Sequence, residues 1–321
     1  IWGSCTLHGQ FRNLHRPEFL PNCSDNPGTQ SMTNHLFDGL FEGADRSQTL
    51  ATLPGGNRYS YGDALDLSAR FANVLQDWGV SIGDRVAAQV PKSIEAVFLY
   101  MACVRMGAVF LPLNTAYTSA EVGYFVADSG AKLLLRDPLS AQDYSGMAAH
   151  NGCRLETLGA TGESGVPEGS LMGAAAGAPP SYDAVSRHGE DLAAILYTSG
   201  TTGRSKGAML THDNLLSNSL ALKKLWRFTA DDNLLHALPI FHTHGLFVAV
   251  NVTLLAGGSM IFLPGFNLDA MIENLPRATS MMGVPTFYTR LLDDPRFTRE
   301  LVAHMRLFVS GSAPLLAETH V

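Results

Sequence analysis

Between residues 60 and 135 the sequence alternates short apolar runs with capped helical segments, at the spacing of βαβ units. Ser60-Tyr61-Gly62-Asp63 has the form of a capping box. It opens a helix that carries Leu65, Ala69, Ala72, Leu75 and Trp78 near one face and ends at Gly79. Arg85–Val90 reads as a strand, Ser93–Met106 as an apolar helix stopped by Gly107, and Ala108–Leu111 as a second strand. Thr118 and Glu121 repeat the capping box before another helix, and Lys132–Leu135 is a third strand. A helix between each strand and the next implies parallel strands with helices over their faces.

The rhythm is lost over residues 136–190, where Gly159–Ser181 is rich in Gly, Ala, Ser and Pro and reads as a surface excursion. It resumes with strands expected at Ala193–Tyr197, Leu234–Leu238, Ser259–Leu263, Ser280–Val284 and Arg306–Ser310. The expected architecture is α/β: one large domain in two lobes over residues 32–321, with parallel-rich sheets covered by helices. Gly245–Gly257 is apolar but carries Asn251 and Thr253. It falls short of the ~18 residues of a membrane span and reads as a buried helix.

Hydrophobic residues make up 46% of the 321, enough for a large core, and the formal net charge is −7. That balance argues against a nucleic-acid or anionic-membrane footprint, so the expected partners are small molecules. An anionic substrate must then be held by a few placed cations. The cysteines are Cys5, Cys23, Cys103 and Cys153, with no C-x-x-C pair. Cys103 lies in an apolar helical run and reads as a buried free thiol, which suits a reducing compartment and a cytoplasmic location. Residues 1–31 show no apolar period and begin with Ile1; they read as an extension upstream of a natural start at Met32. The other reading is a transit peptide using Arg12 and Arg16, which would place the protein in mitochondria.

The most informative segment is Tyr197-Thr198-Ser199-Gly200-Thr201-Thr202-Gly203-Arg204-Ser205-Lys206-Gly207, between an apolar run and a helix expected to be capped by Thr211. Gly200, Gly203 and Gly207 permit positive φ and close backbone approach. Hydroxyls at Thr198, Ser199, Thr201 and Thr202, with backbone N–H groups, can surround phosphate oxygens, and Lys206 adds a cation. A Walker loop needs Gly five residues after the first Gly, then Lys and Ser or Thr. Here Ser205 stands at that place and Gly207 follows Lys206, so the pattern fails. The alternative is a plain surface turn.

Tyr197–Gly207 resembles the signature loop of the adenylate-forming superfamily of acyl-CoA synthetases, luciferases and peptide-synthetase adenylation domains. The resemblance implies that the loop, with Lys206, holds the β- and γ-phosphates of ATP and then the departing pyrophosphate. Ala237–Gly245 is similar to the family's motif beside the acyl pocket. Ser310-Gly311-Ser312-Ala313-Pro314 is similar to the segment that lines the acyl group and the adenine. By this resemblance Ser312, Ala313 and Pro314 contact the nucleotide, while Ser310, Gly311 and His244 contact the acyl group, His244 as the catalytic candidate. His242 and His244 also suggest a strand-face metal pair, but no third ligand is visible and no metal site is expected.

Arg290, in Pro285-Thr286-Phe287-Tyr288-Thr289-Arg290, matches malonyl-CoA synthetases residue for residue. The resemblance makes it the clamp on malonate's second carboxylate, where two charge-assisted hydrogen bonds suit a guanidinium. The competing reading is a surface helix Arg paired with Asp293 or Asp294. Asn114–Tyr117 and Ser199–Leu263 look like the same branch, and the resemblance covers about residues 33–321. It implies a ligase that uses ATP, Mg2+ and coenzyme A to convert malonate to malonyl-CoA through an acyl-adenylate. The family's magnesium-contacting Glu, ribose-binding Asp and lysine-bearing C-terminal domain would fall beyond Val321. The chain is therefore expected to be an N-terminal portion, inactive alone. Other readings are a synthetase for another short acid, such as methylmalonate or acetate, or a non-catalytic nucleotide-binding remnant.

Overall fold

The computed structural model describes residues 33–160, 169–198 and 204–314. The stretch 1–31 and the loop positions Ser199, Gly200, Thr201, Thr202 and Gly203 lie outside the described residues. In chain order, α1 (His35–Phe41) leads to a hairpin of β1 (Thr49–Thr52) and β2 (Arg58–Ser60), then α2 (Tyr61–Asp77). β3 (Arg85–Gln89), α3 (Ile94–Met106), β4 (Val109–Pro112), α4 (Ser119–Ser129) and β5 (Leu133–Arg136) follow in strict alternation. The short elements α5 (Ser145–His150), β6 (Arg154–Thr157) and α6 (Ser170–Ala175) occupy the stretch where the sequence loses its rhythm. Next come β7 (Leu192–Thr198), β8 (Lys206–Thr211), α7 (His212–Trp226) and β9 (Asn233–His236). A π-helical turn, His244–Val250, runs into α8 (Asn251–Ala256). β10 (Ser259–Phe262), α9 (Leu268–Asn274), β11 (Ser280–Gly283), α10 (Pro285–Leu292) and β12 (Leu307–Ser310) follow.

The caps form as the sequence dictates. Ser60 and Thr118 each accept from the backbone N–H three residues on, and Asp63 and Glu121 reach back to close both boxes. Thr211 and Asn214 form a third box at the start of α7. Gly107 ends α3 at φ +77°, a left-handed conformation that a side chain would strain.

The strands form two six-stranded sheets, in the orders β6-β5-β3-β4-β7-β8 and β12-β11-β9-β10-β1-β2. All pairings are parallel except the edge hairpins, β7–β8 and β1–β2. Successive strand residues alternate between packing layers, as a pleat requires. Val86 and Ala88 enter the central core, and Ala87 enters an outer one with Val122 and Phe125 of α4. Met260 and Phe262 likewise enter the central core, and Ile261 enters a third with Met271 of α9 and Leu291 of α10. The layers are thus helix, sheet, helix, sheet, helix. α3 lies in the central layer with every residue but Arg105 buried, and packs on α2 and β4. No described helix is long and apolar enough to cross a membrane.

His212, the first residue of α7, is fully buried, and its Nδ1 accepts from Leu36 N–H at 3.4 Å. Burial, then the nearby Arg187 charge, push its pKa down to about 4 from the ordinary 6.5, against the opposing pull of Asp191. The unfolded chain therefore takes up this proton first. The His212 contribution is complete above about pH 6.5 and is lost as pH falls from there towards 4. At most it amounts to on the order of 3 kcal/mol. In His212→Asn an amide oxygen replaces Nδ1 and cannot titrate in this range. Thermal midpoints at pH 7.5 and 5 should fall less in the variant than in the parent; an equal fall would show that His212 carries no pH-dependent stability.

Candidate active site

Because the strands are parallel, each sheet presents its carboxyl ends along one edge, where open α/β sheets bind ligands. A lysine joins the two edges. Lys92 follows β3, and its Nζ donates to the His236 carbonyl at 2.9 Å and lies 2.8 Å from His236 Nδ1. His236 ends β9 in the other sheet, and its Nε2 lies 2.8 Å from the Gly245 carbonyl. A carbonyl only accepts, so Nε2 carries the proton and Nδ1 accepts from Lys92. Burial, then the Lys92 charge, hold His236 well below the ordinary histidine range, so its ring stays neutral.

Beside Lys92 a half-open cavity of about 340 Å3 is lined by Thr115, Phe241, Pro264, Phe266 and Phe287 among others. The Phe266 and Phe287 rings stack with centroids 4.4 Å apart. Arg290, in the last turn of α10, holds its guanidinium 5.6 Å from the Phe266 centroid. It makes no ion pair among the described residues. Arg290 is exposed, as a surface helix Arg would be, but it pairs with neither Asp293 nor Asp294; Asp294 pairs with Arg296, at 2.7 Å. The Phe266 ring that Arg290 covers is part of the cavity lining, so an exposed, unpaired guanidinium stands next to that lining.

His244 begins the π-helical turn, and its Nδ1 lies 3.2 Å from Ser312 Oγ. Gly311 lets the ring in: a Cβ there would stand 3.0 Å from His244 Cε1. The Gly311 N–H donates to the Gly283 carbonyl at 3.1 Å, which continues the β11–β12 pairing, and Ser312 turns the chain at φ +67°. Ala313 and Pro314 follow, exposed, and the Ser310 hydroxyl is buried with no hydrogen-bond partner. Burial lowers the pKa of His244, which favours the neutral ring. His242 is exposed and precedes the π-helical turn, so the pair does not share a strand face. No group of three His, Cys, Asp or Glu side chains able to hold a metal occurs among the described residues.

The phosphate-loop segment joins two strands. Thr198 pairs with Lys206 as the last residue of β7 and the first of β8, whereas the sequence placed Lys206 and Gly207 in the loop itself. Gly207 is needed for closeness and not for positive φ, since a Cβ would meet Ile195 Cγ2 at 2.9 Å. α4 holds both ends of the loop. Tyr197 Oη donates to Asp128 at 2.6 Å, Tyr124 Oη donates to the Ser205 carbonyl at 2.9 Å, and Arg204 lies over the Tyr124 ring. Lys206 is exposed. The structure thus joins His244 to Gly311 and Ser312, and Arg290 to the cavity. No hydrogen bond or ion pair among the described residues ties Thr198 or Lys206 to either group. Lys92, His236 and Phe266 were missed by sequence reasoning; the signal was a lone lysine, Pro91-Lys92-Ser93, between a strand and a largely apolar helix.

The profile of the AMP-binding enzyme family matches residues 42–320. The chain belongs to that family. Its fold matches apo MatB from Rhodopseudomonas palustris at 55% identity and a TM-score of 0.86, over 90% of this chain and 57% of that one. It is 35% identical to a feruloyl-CoA synthase of an Amycolatopsis species, over 82% of this chain and 51% of the relative. It is 32% identical to the mitochondrial malonate–CoA ligase of Bos taurus, over 83% of this chain and 48% of the relative. The chain thus spans about half the length of the curated relatives it matches. Its resemblance to malonate–CoA ligases is carried by the bovine relative.

Among the described glycines of this AMP-binding domain, Gly245 leaves the least room for a side chain. A Cβ there would stand 2.0 Å from the Pro239 carbonyl oxygen, so Gly245→Ala must displace backbone. Overpacking of this kind costs about 1–3 kcal/mol. It should lower the thermal midpoint by several degrees and loosen the His236 anchor. An unchanged midpoint would mean that the Pro239–Gly245 turn yields freely.

Proposed function

We propose that this chain is the nucleotide- and acid-binding portion of an ATP-dependent acid–thiol ligase that converts malonate and coenzyme A to malonyl-CoA. The observation that supports the reading is Arg290, exposed and unpaired among the described residues, with its guanidinium over Phe266, one of the rings that line the cavity. A fatty or aromatic acid needs no cation there. Malonate keeps one carboxylate after the other has reacted, and that charge would be costly to bury unpaired. The identity to MatB and to the bovine malonate–CoA ligase supports the same reading. Methylmalonate carries the same second carboxylate and falls within the same class.

In this reading malonate is activated in two steps. One carboxylate oxygen attacks the α-phosphorus of ATP; the new C–O–P bond forms as the bond to the β-phosphate oxygen breaks, releasing pyrophosphate. The thiolate of coenzyme A then attacks the acyl carbon and AMP leaves. The chain supplies charge and position and no nucleophile. Lys206 neutralises the phosphates, Arg290 clamps the idle carboxylate, and His244, fixed by Ser312, presents a neutral imidazole to the acyl group.

The test compares malonate with acetate. Calorimetric binding uses the chain as it is; turnover uses the chain continued into the C-terminal part of MatB. A hydrogen bond to a charged group contributes roughly 1.5–3 kcal/mol, so Arg290→Ala should cost malonate about 10- to 150-fold in kcat/KM. Acetate should lose little. Arg290→Lys should recover only part, since an ammonium lacks the planar fork. Equal losses for both acids would make Arg290 structural and remove the basis for a diacid.

A further inference from the structure

Lys92 has no place in the ligase chemistry described above, yet it is the residue that ties the two sheets together at the cavity. Its Nζ makes two hydrogen bonds, both to His236: one to the carbonyl oxygen and one to Nδ1. Both acceptors are neutral. The Phe262 ring lies 4.3 Å away, also neutral, and no carboxylate among the described residues forms an ion pair with Lys92. An ammonium has three N–H donors, and the third meets no acceptor among the described residues. The side chain lines the cavity beside Phe241, Phe266 and Phe287. Lys92 is half-buried and faces a half-open cavity, so its remaining N–H is open to water or to an anion bound there.

We infer that the Lys92 ammonium, held by His236, is an anion-binding group of this cavity, and that together with Arg290 it selects short acids carrying two carboxylates. The inference rests on the reading of the cavity as the acid pocket. The selection follows from counting charge. A dicarboxylate brings two negative charges to two cations, whereas a monocarboxylate leaves one cation unpaired. Burial pushes Lys92 well below the ordinary lysine range, a penalty that a bound carboxylate relieves. His236 is a positioning residue. It grips Nζ at two points while its own Nε2 is fixed to the Gly245 carbonyl, which holds the amine at the cavity wall.

The test titrates malonate, succinate, acetate and ATP into the chain as it is, by calorimetry. Lys92→Gln keeps a donor for His236 and removes the charge; Lys92→Met removes both and carries the test if the first variant does not fold. With the cation gone, malonate affinity should fall by about tenfold or more, while acetate and ATP change little and the thermal midpoint stays within a few degrees. A purely structural lysine would move the midpoint and the ATP affinity along with malonate. If the parent ignores malonate but binds succinate, and Lys92→Gln loses it, the malonate reading falls and the Lys92 site stands. Unchanged dicarboxylate affinity in the variants, equal losses for acetate and malonate, or no carboxylate binding by the parent would overturn the inference.

Discussion

Helix α3 has no polar face. Of its thirteen residues only Arg105 escapes burial, and even Glu95 is 2% exposed. A helix apolar all round must be covered on every side, which neither a single sheet nor a single partner helix can do. In this chain it lies against β4 and α2, while Tyr100 packs on Phe110 of the first sheet and on Phe247 before α8. Asn251 closes the same contact, donating to Tyr100 Oη at 3.1 Å. The five-layer order follows from that demand: two sheets share a central layer of helices, with α3 inside it.

The same constraint places the site. Ser93 caps α3, so the residue before it, Lys92, is carried to the end of β3, where the second sheet closes over the helix. There it meets His236 at the end of β9, and the two carboxyl edges become one crevice. Everything else at the site hangs from strand ends on that edge: Ala237 and Phe241 after β9, Phe266 after β10, α10 after β11, and Ser310–Pro314 at the end of β12. The cavity is lined by aromatic rings and by Lys92, and Arg290 covers the Phe266 ring; on the proposed reading that lining takes a small acid.

Much of this was legible in the sequence because the signals are local. Capping boxes at Ser60 and Thr118, the stop at Gly107 and the apolar runs at β3, β4, β5, β9, β10, β11 and β12 depend on neighbours within a few residues. His244 beside Ser312 and Arg290 beside the cavity came from motif resemblance, and the structure supplies their contacts. What was not legible depends on pairing across the chain. β8 reads as loop because Lys206 and Gly207 become strand only against Tyr197 and Thr198. Lys92 and His236 stand 144 positions apart, and no periodicity links them. The short elements α5 and β6 lie where the rhythm is lost, over 136–190, and α6 lies within Gly159–Ser181, whose composition suggested a surface excursion although Leu171, Met172 and Ala175 are buried.

On the proposed reading, the joined carboxyl edges of the two sheets hold the acyl group of a diacid among Arg290, Lys92 and His244. A crystal structure of the chain with a non-hydrolysable malonyl-adenylate analogue tests it most directly. The account predicts the free carboxylate within hydrogen-bonding distance of the Arg290 guanidinium or the Lys92 ammonium, and the acyl carbonyl beside His244 and Gly311. An acyl group bound elsewhere, or a carboxylate left in solvent with both cations unengaged, would contradict it.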